Sequence, residues 1–189
     1  MNCLKCGQPT TEAKCPACGF ALSGRMVSLG RLNAAKINRT LNNGHHRRTY
    51  PGGDWGGVYE GDFVNGKRHG KGTFHFNVGV VYTGDWRNDK RTGFGMQFGT
   101  RGDYYAGDFV DGKWHGRGTY RWPIGNVYTG EFRESKMHGN GVQHGTSGDT
   151  YIGQFDHGRW GKGVLTLPDG RVFRVEYANG KEISRTLLK

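Results

Sequence analysis

The chain has 189 residues, 35 of them glycine, with 34% hydrophobic residues, 13% aromatic residues and a formal net charge of +11. Glycine without a three-residue period excludes collagen, and the aromatics exclude a wholly disordered chain. A hydrophobic fraction below the ordinary ~45–50% leaves too little for a thick two-layer core, so a turn-rich β repeat is expected.

The first twenty residues hold all four cysteines, as Cys3-x-x-Cys6 and Cys15-x-x-Cys18. The x-x spacing lets two thiolates of one tight turn reach the same ion, and Gly7 and Gly19 let the chain fold back over the sulfurs. Four thiolates suit tetrahedral zinc and leave no open coordination position, so one structural ion is expected rather than a catalytic one. A lone CxxC in a βαβ context would favour redox work, and two pairs so close do not fit that. The segment resembles the short zinc ribbons at the N-termini of many prokaryotic proteins. The opening MNCLKCGQPT lacks an apolar leader core, and no run reaches the ~18 apolar residues of a membrane span. A cytoplasmic setting is expected, peripheral at a membrane if the chain binds lipid.

Residues 21–58 read as a basic, Gly- and Asn-rich linker, with six basic residues against Asp54. Leu22, Met26 and Leu29 fall at helical spacing, so the choice lies between a flexible linker and a short basic amphipathic helix. Arg47 and Arg48, after His45 and His46, are candidate anion contacts.

From Tyr59 the chain repeats. Copies start at Tyr59, Tyr82, Tyr105, Tyr128 and Tyr151, each 23 residues after the last, and a partial sixth starts at Phe173. Within a copy Tyr59, Gly61 and Phe63 share one strand face, Asn65-Gly66 turns the chain, and Gly70 and Gly72 follow at period two. The bare glycines leave slots for aromatic rings. Each copy is then a hairpin whose ring face is buried only by stacking on its neighbours.

The pattern resembles the MORN repeat, Y-x-G-x-F/W-x-x-G-x-x-H-G-x-G, over residues 59–181. The resemblance implies an all-β domain over 59–189: an elongated, single-layer antiparallel sheet of stacked hairpins. It also implies an adaptor, a cytoskeletal or membrane-associated scaffold, or a dimerisation module. Asp89 and Ser135 depart from the turn glycine, Thr92 from the histidine and Val175 from the first glycine. Copy five lacks the residue equivalent to His69. Even copies close with GTRGD or GTSGD loops, which could cradle phosphate through backbone N–H groups.

The residue that opens each return strand is basic: Lys67, Lys90, Lys113, Lys136, Arg159 and Lys181. This ladder would suit an anionic membrane or a nucleic-acid backbone. Alternatively it pairs across each hairpin with the column Asp62, Asp85, Asp108, Glu131 and Glu176. His69, His115 and His138 recur with the period, as structural turn residues do. No single nucleophile–base set stands out, so the expected function is a non-enzymatic adaptor. Its repeats would hold a protein partner, with zinc ribbon and linker as a second contact. The alternative is a binder of anionic lipid or nucleic acid. Homodimerisation is expected at the open sheet edge, unless Leu187 and Leu188 fold back as a cap.

Overall fold

The computed structural model describes residues 42–189. The four cysteines, the zinc ribbon and residues 21–41 of the expected linker lie outside the described residues. The rest is a single sheet of thirteen antiparallel strands in sequence order. The strands are β1 (Gly44–Tyr50), β2 (Gly57–Val64), β3 (Lys67–Phe76), β4 (Val81–Arg87), β5 (Lys90–Phe98), β6 (Tyr104–Val110) and β7 (Lys113–Arg121). They continue as β8 (Val127–Arg133), β9 (Lys136–His144), β10 (Thr150–Asp156), β11 (Arg159–Thr166), β12 (Val172–Ala178) and β13 (Lys181–Leu187). Among the described residues no helix is long and apolar enough to cross a membrane.

The expected boundary at residue 58 needs correction. Gly44–Tyr50 pairs along its whole length with β2, from Gly44 opposite Phe63 to Tyr50 opposite Gly57. A short 3-10 turn, Gly53–Trp55, joins the two strands. The sheet therefore begins fifteen residues before the first repeat, at a strand with no repeat signature of its own.

Local sequence explains the hairpins. Both central turn residues take positive φ, as in Asn65 (52°) with Gly66 (76°) and Asp111 (51°) with Gly112 (85°). That geometry matches the twist of the flanking strands and favours Asn, Asp and Gly. In copies two to five the N–H of the second turn residue donates to the copy before it, for example Gly112 N to Arg91 O at 2.9 Å. These hairpin tips are thereby tied to their predecessors.

Within each full copy the register slips. Gly84 faces Gly95 while Asp85 faces Thr92, which leaves two extra residues on the return strand. Gly93 takes the left-handed conformation there (φ 53°), as do Gly70, Gly116 and Gly139 at the same place. The carboxylates of Asp62, Asp85, Asp108 and Glu131 accept the N–H groups of Lys71, Phe94, Arg117 and Asn140 at 2.9–3.2 Å. Copy five lacks the histidine equivalent and carries Gln154 in place of the acid. Its slip is one residue smaller, with Gly153 opposite Gly163 and Phe155 opposite Trp160. Copies one to four thus combine the acid with the longer bulge and copy five lacks both, whereas Glu176 of copy six, beside a one-residue slip, pairs with Lys162 at 3.1 Å.

The rings fill the glycine slots as expected. Tyr59, Tyr82, Tyr105, Tyr128 and Tyr151 are each 0% exposed. Each of the first four stands edge-on to the Phe or Trp of its own copy and to that of the next, with centroids 4.7–5.2 Å apart. Their hydroxyls donate to the carbonyl three residues on, as Tyr105 does to Asp108 O at 2.9 Å. The ring row is continuous, so each copy completes the core of its neighbour. At the C-terminal edge β13 runs on as a strand, with Leu188 N donating to Val172 O at 2.8 Å. Leu187 and Leu188 stay 59% and 48% exposed, so they do not fold back as a cap.

Candidate functional site

The ring face is not uniform along the sheet. Odd copies place apolar residues at the end of the return strand, Phe74 with Phe76, Tyr120 with Trp122, and Leu165 with Leu167. Even copies place Gln97 with Gly99 and Gln143 with Gly145 there. A groove of about 500 Å³ lies beside the aromatic pair of copy one, lined by Trp55, Arg68, Phe76, Trp86, Arg91 and Gln97 among others.

Two arginines form its floor. The Arg68 guanidinium lies 4.4 Å from the Trp86 ring centre and 5.1 Å from that of Phe74. It donates from Nε to Asp89 Oδ1 at 3.1 Å and from Nη2 to the Asp89 carbonyl at 3.1 Å. Asp89 also accepts the Arg68 N–H at 3.0 Å, and Ser135 Oγ accepts the Trp114 N–H at 3.2 Å. The two turn departures thus clamp adjacent copies, a role that sequence reading did not assign them. Their spacing of two repeats, in step with the alternating turns, was the available signal.

Arg91 differs. It donates to Gln97 Oε1 and to Gly112 O, both neutral, and lies 5.4–5.5 Å from the Tyr82 and Phe109 ring centres. No carboxylate comes within ion-pair distance of it among the described residues. Burial is the largest influence on it and lowers its pKa below the ordinary guanidinium value. It remains charged, since an arginine keeps its proton in proteins. Asp89 and Asp111 also line the groove, but they pair with Arg68 and Lys90, so the Arg91 charge is met by dipoles and ring faces. Trp55 stands at its rim, 77% exposed.

The cation ladder is present at the start of every return strand, all six members exposed. It does not pair with the acidic column across the hairpin. That column sits opposite the bulge and accepts backbone N–H groups, while the cations face the residue just before the turn, as Lys67 faces Val64. Lys90 instead meets Asp111 at 2.9 Å, and Lys113 meets Glu134, each an acid in the next copy's turn. Lys67, Lys136, Arg159 and Lys181 have no ion pair among the described residues.

The remaining candidates separate. Arg47 is exposed on β1. Arg48 turns to the ring face, 4.4 Å from the Phe63 centre, and donates to Gly66 O at 3.0 Å. His45 Nδ1 contacts Asp62 Oδ1 at 3.1 Å. These residues belong to the sheet and not to a free basic tether. The GTRGD and GTSGD loops turn inward as well. A Cβ on Gly99 or Gly145 would meet the carboxylate of Asp103 or Asp149 at 2.2 Å. Each loop thus packs its own carboxylate against its first glycine.

The pattern of the MORN repeat matches residues 59–81, 82–104, 105–127, 128–150 and 151–170. No curated protein matches the sequence. Among solved structures the chain is similar to the SAS-4 (dCPAP) TCP domain of Drosophila melanogaster in complex with a Proline Rich Motif of Ana2 (dSTIL). That likeness covers 76% of this chain and 90% of the other at 11% identity, with a TM-score of 0.38, too slight to bear on function. Five consecutive matches span more than half of the chain, each with its tyrosine seated on paired glycines, and the chain therefore belongs to the MORN-repeat family.

Proposed function

We propose that this protein is a non-enzymatic adaptor that holds a protein partner on the ring face of its sheet. Family membership supports the reading, because MORN repeats mark protein-interaction or membrane-associated proteins and are non-enzymatic in general. The observation that carries it is the groove of copies one to three. There Trp55 is exposed beside an arginine that no carboxylate neutralises. Exposed aromatics and partly desolvated arginines are the residue types that dominate binding energy at interfaces. A partner with an acidic or carbonyl-rich extended segment would supply what Arg91 lacks.

The test uses the immobilised full chain in cell extract at high salt. The wild type should capture a partner whose cross-links fall on Trp55 to Arg91. The double variant Trp55→Ala/Phe76→Ala should weaken capture roughly tenfold or more, the scale of a lost aromatic hot spot. Unchanged capture by the variant would remove the ring face from the interface.

One observation favours a second reading, a binder of anionic lipid or nucleic acid. Four ladder cations have no acidic partner among the described residues, on a chain of net charge +11. That reading requires steep loss of binding with salt. It also requires sedimentation with phosphatidylserine vesicles or retention of single-stranded RNA by the wild type.

A second contact would come from Cys3, Cys6, Cys15 and Cys18 holding one structural zinc, supported by their spacing alone. Metal analysis after exhaustive dialysis should give one zinc per chain and none in Cys15→Ser. Two disulfides in freshly prepared extract would refute the site.

A further inference from the structure

The junction between copies four and five breaks the repeat at two adjacent positions. Ahead of the turn glycine or its replacement the other copies read Val64-Asn65, Arg87-Asn88, Val110-Asp111, Arg133-Glu134 and Ala178-Asn179. Copy five reads Asp156-His157. His157 holds the left-handed turn position, with φ 50°, that Asn, Asp or Glu fills elsewhere. The recurrent histidine of copy four, His138, stands on β9 beside this turn. At the two equivalent junctions with a histidine, His69 meets Arg87-Asn88 and His115 meets Arg133-Glu134. Each offers an arginine and no second imidazole. Only here does the period bring two imidazoles and a carboxylate together.

Their geometry converges. Asp156 Oδ1 lies 2.7 Å from His157 Nδ1 and 3.5 Å from His138 Nδ1. The two rings stand 6.0 Å apart at 81°. One ligand atom from each residue falls within 4.8 Å of the other two. An ion bound at about 2.0–2.2 Å to each donor needs only small side-chain rotations from this arrangement. Imidazole nitrogen disfavours the hard cations calcium and magnesium, which take oxygen shells. It suits the borderline ions, of which zinc has no geometric preference to violate.

We propose that His138, Asp156 and His157 form a zinc site, with three protein ligands and the remaining position open to water or to a ligand from outside. The side chains are 35%, 75% and 67% exposed, so zinc binds here more weakly than in a closed four-thiolate site. The site lies on the hairpin tips, the same end of the strands as the cation ladder. A donor from a bound partner could therefore complete the coordination.

The test titrates zinc chloride onto the full chain, already carrying whatever zinc its cysteines retain, and follows binding by calorimetry. The wild type should take up one more equivalent than His157→Asn, whose affinity at this site should fall at least tenfold. Asn occupies the same left-handed position in copies one, two and six, so that variant should keep the fold, checked by circular dichroism. Asp156→Ala, which copies Ala178, should behave likewise. Equal uptake by wild type and His157→Asn would overturn the site, as would the absence of any uptake beyond that of the cysteines. The comparison reads a difference between two chains with identical cysteines, so it stands whether or not the N-terminal site holds zinc.

Discussion

Gly118→Ala should lower the melting temperature by about 5–10 °C, the equivalent of about 2–3 kcal/mol for a chain of this size. Gly118 sits on β7 opposite Gly107, beneath the Tyr105 ring. A Cβ there would lie 2.6 Å from Tyr105 Cε2 and Oη and 2.7 Å from Cζ. Real Cβ atoms do not approach so closely, so the ring must move. It has nowhere to go. Trp114 stacks on it at 4.5 Å, and Phe109 and Phe132 close its edges at 5.2 and 4.9 Å. The cost is therefore overpacking without relief, and it falls on two copies because Phe132 belongs to the next one. Gly161→Ala is the control, since its nearest neighbour lies at 3.3 Å and its backbone is ordinary. It should stay within about 1 kcal/mol of the wild type. Equal melting of the two variants would show that ring seating does not limit stability.

The ring row was legible in the sequence because its cause is local. Tyrosine, glycine and phenylalanine alternate at period two, and a missing side chain opposite an aromatic one has a single steric consequence. The acidic column was visible but assigned the wrong partner. Asp62 and Lys67 stand on the same hairpin, and charge alone suggests a pair. The register slip decides otherwise, because it moves the acid opposite an N–H that the left-handed Gly70 turns toward it. A slip of register is a property of two strands together, which no single-strand pattern reveals.

Strand β1 was missed for a different reason. Gly44–Tyr50 shows little of the strict apolar alternation that marks a half-buried strand, and it follows a run of asparagines. What makes it a strand is the edge of β2, whose Phe63 and neighbouring Phe74 need cover. Arg48 and Tyr50 provide it with an alkyl stem and a ring, Tyr50 lying 5.7 Å from Phe74. A long basic side chain can cover aromatic surface while its charge stays hydrated or hydrogen-bonded, so basic composition misleads at such an edge. Arg68 and Arg91 repeat the pattern in the interior copies. Of the cations expected to meet an anionic partner, Arg48 is thus part of how the ring face is lined, as are Arg68 and Arg91.

Raising the pH well above about 10 should unfold the sheet cooperatively, at a higher pH than the simple titration expected of exposed phenols. Burial is the largest influence on all five repeat tyrosines and raises their pKa values, Tyr128 to about 12. Nearby acids, Asp108 for Tyr105 and Glu131 for Tyr128, push the same way. In the unfolded chain each phenol ionises near pH ~10. The folded form keeps its protons longer, so full stability holds below pH ~10 and is lost as pH rises toward the folded values. Each withheld proton steepens that loss by about 1.4 kcal/mol per pH unit. Five together would exhaust a domain stability of about 5–15 kcal/mol within one or two units. Lysines also lose charge in this range, but exposed pairs such as Lys90 with Asp111 are screened by solvent and contribute little. Phenolate absorbance and far-ultraviolet circular dichroism should therefore change together, with a steepness that reports several protons. Tyr128→Phe should make the transition shallower by one proton. It should also cost about 1 kcal/mol at neutral pH through the lost bond to Glu131 O, 2.9 Å long. Phenols that ionise with intact β signal near pH ~10 would show the hydroxyls open to solvent and the row of rings looser than their full burial implies.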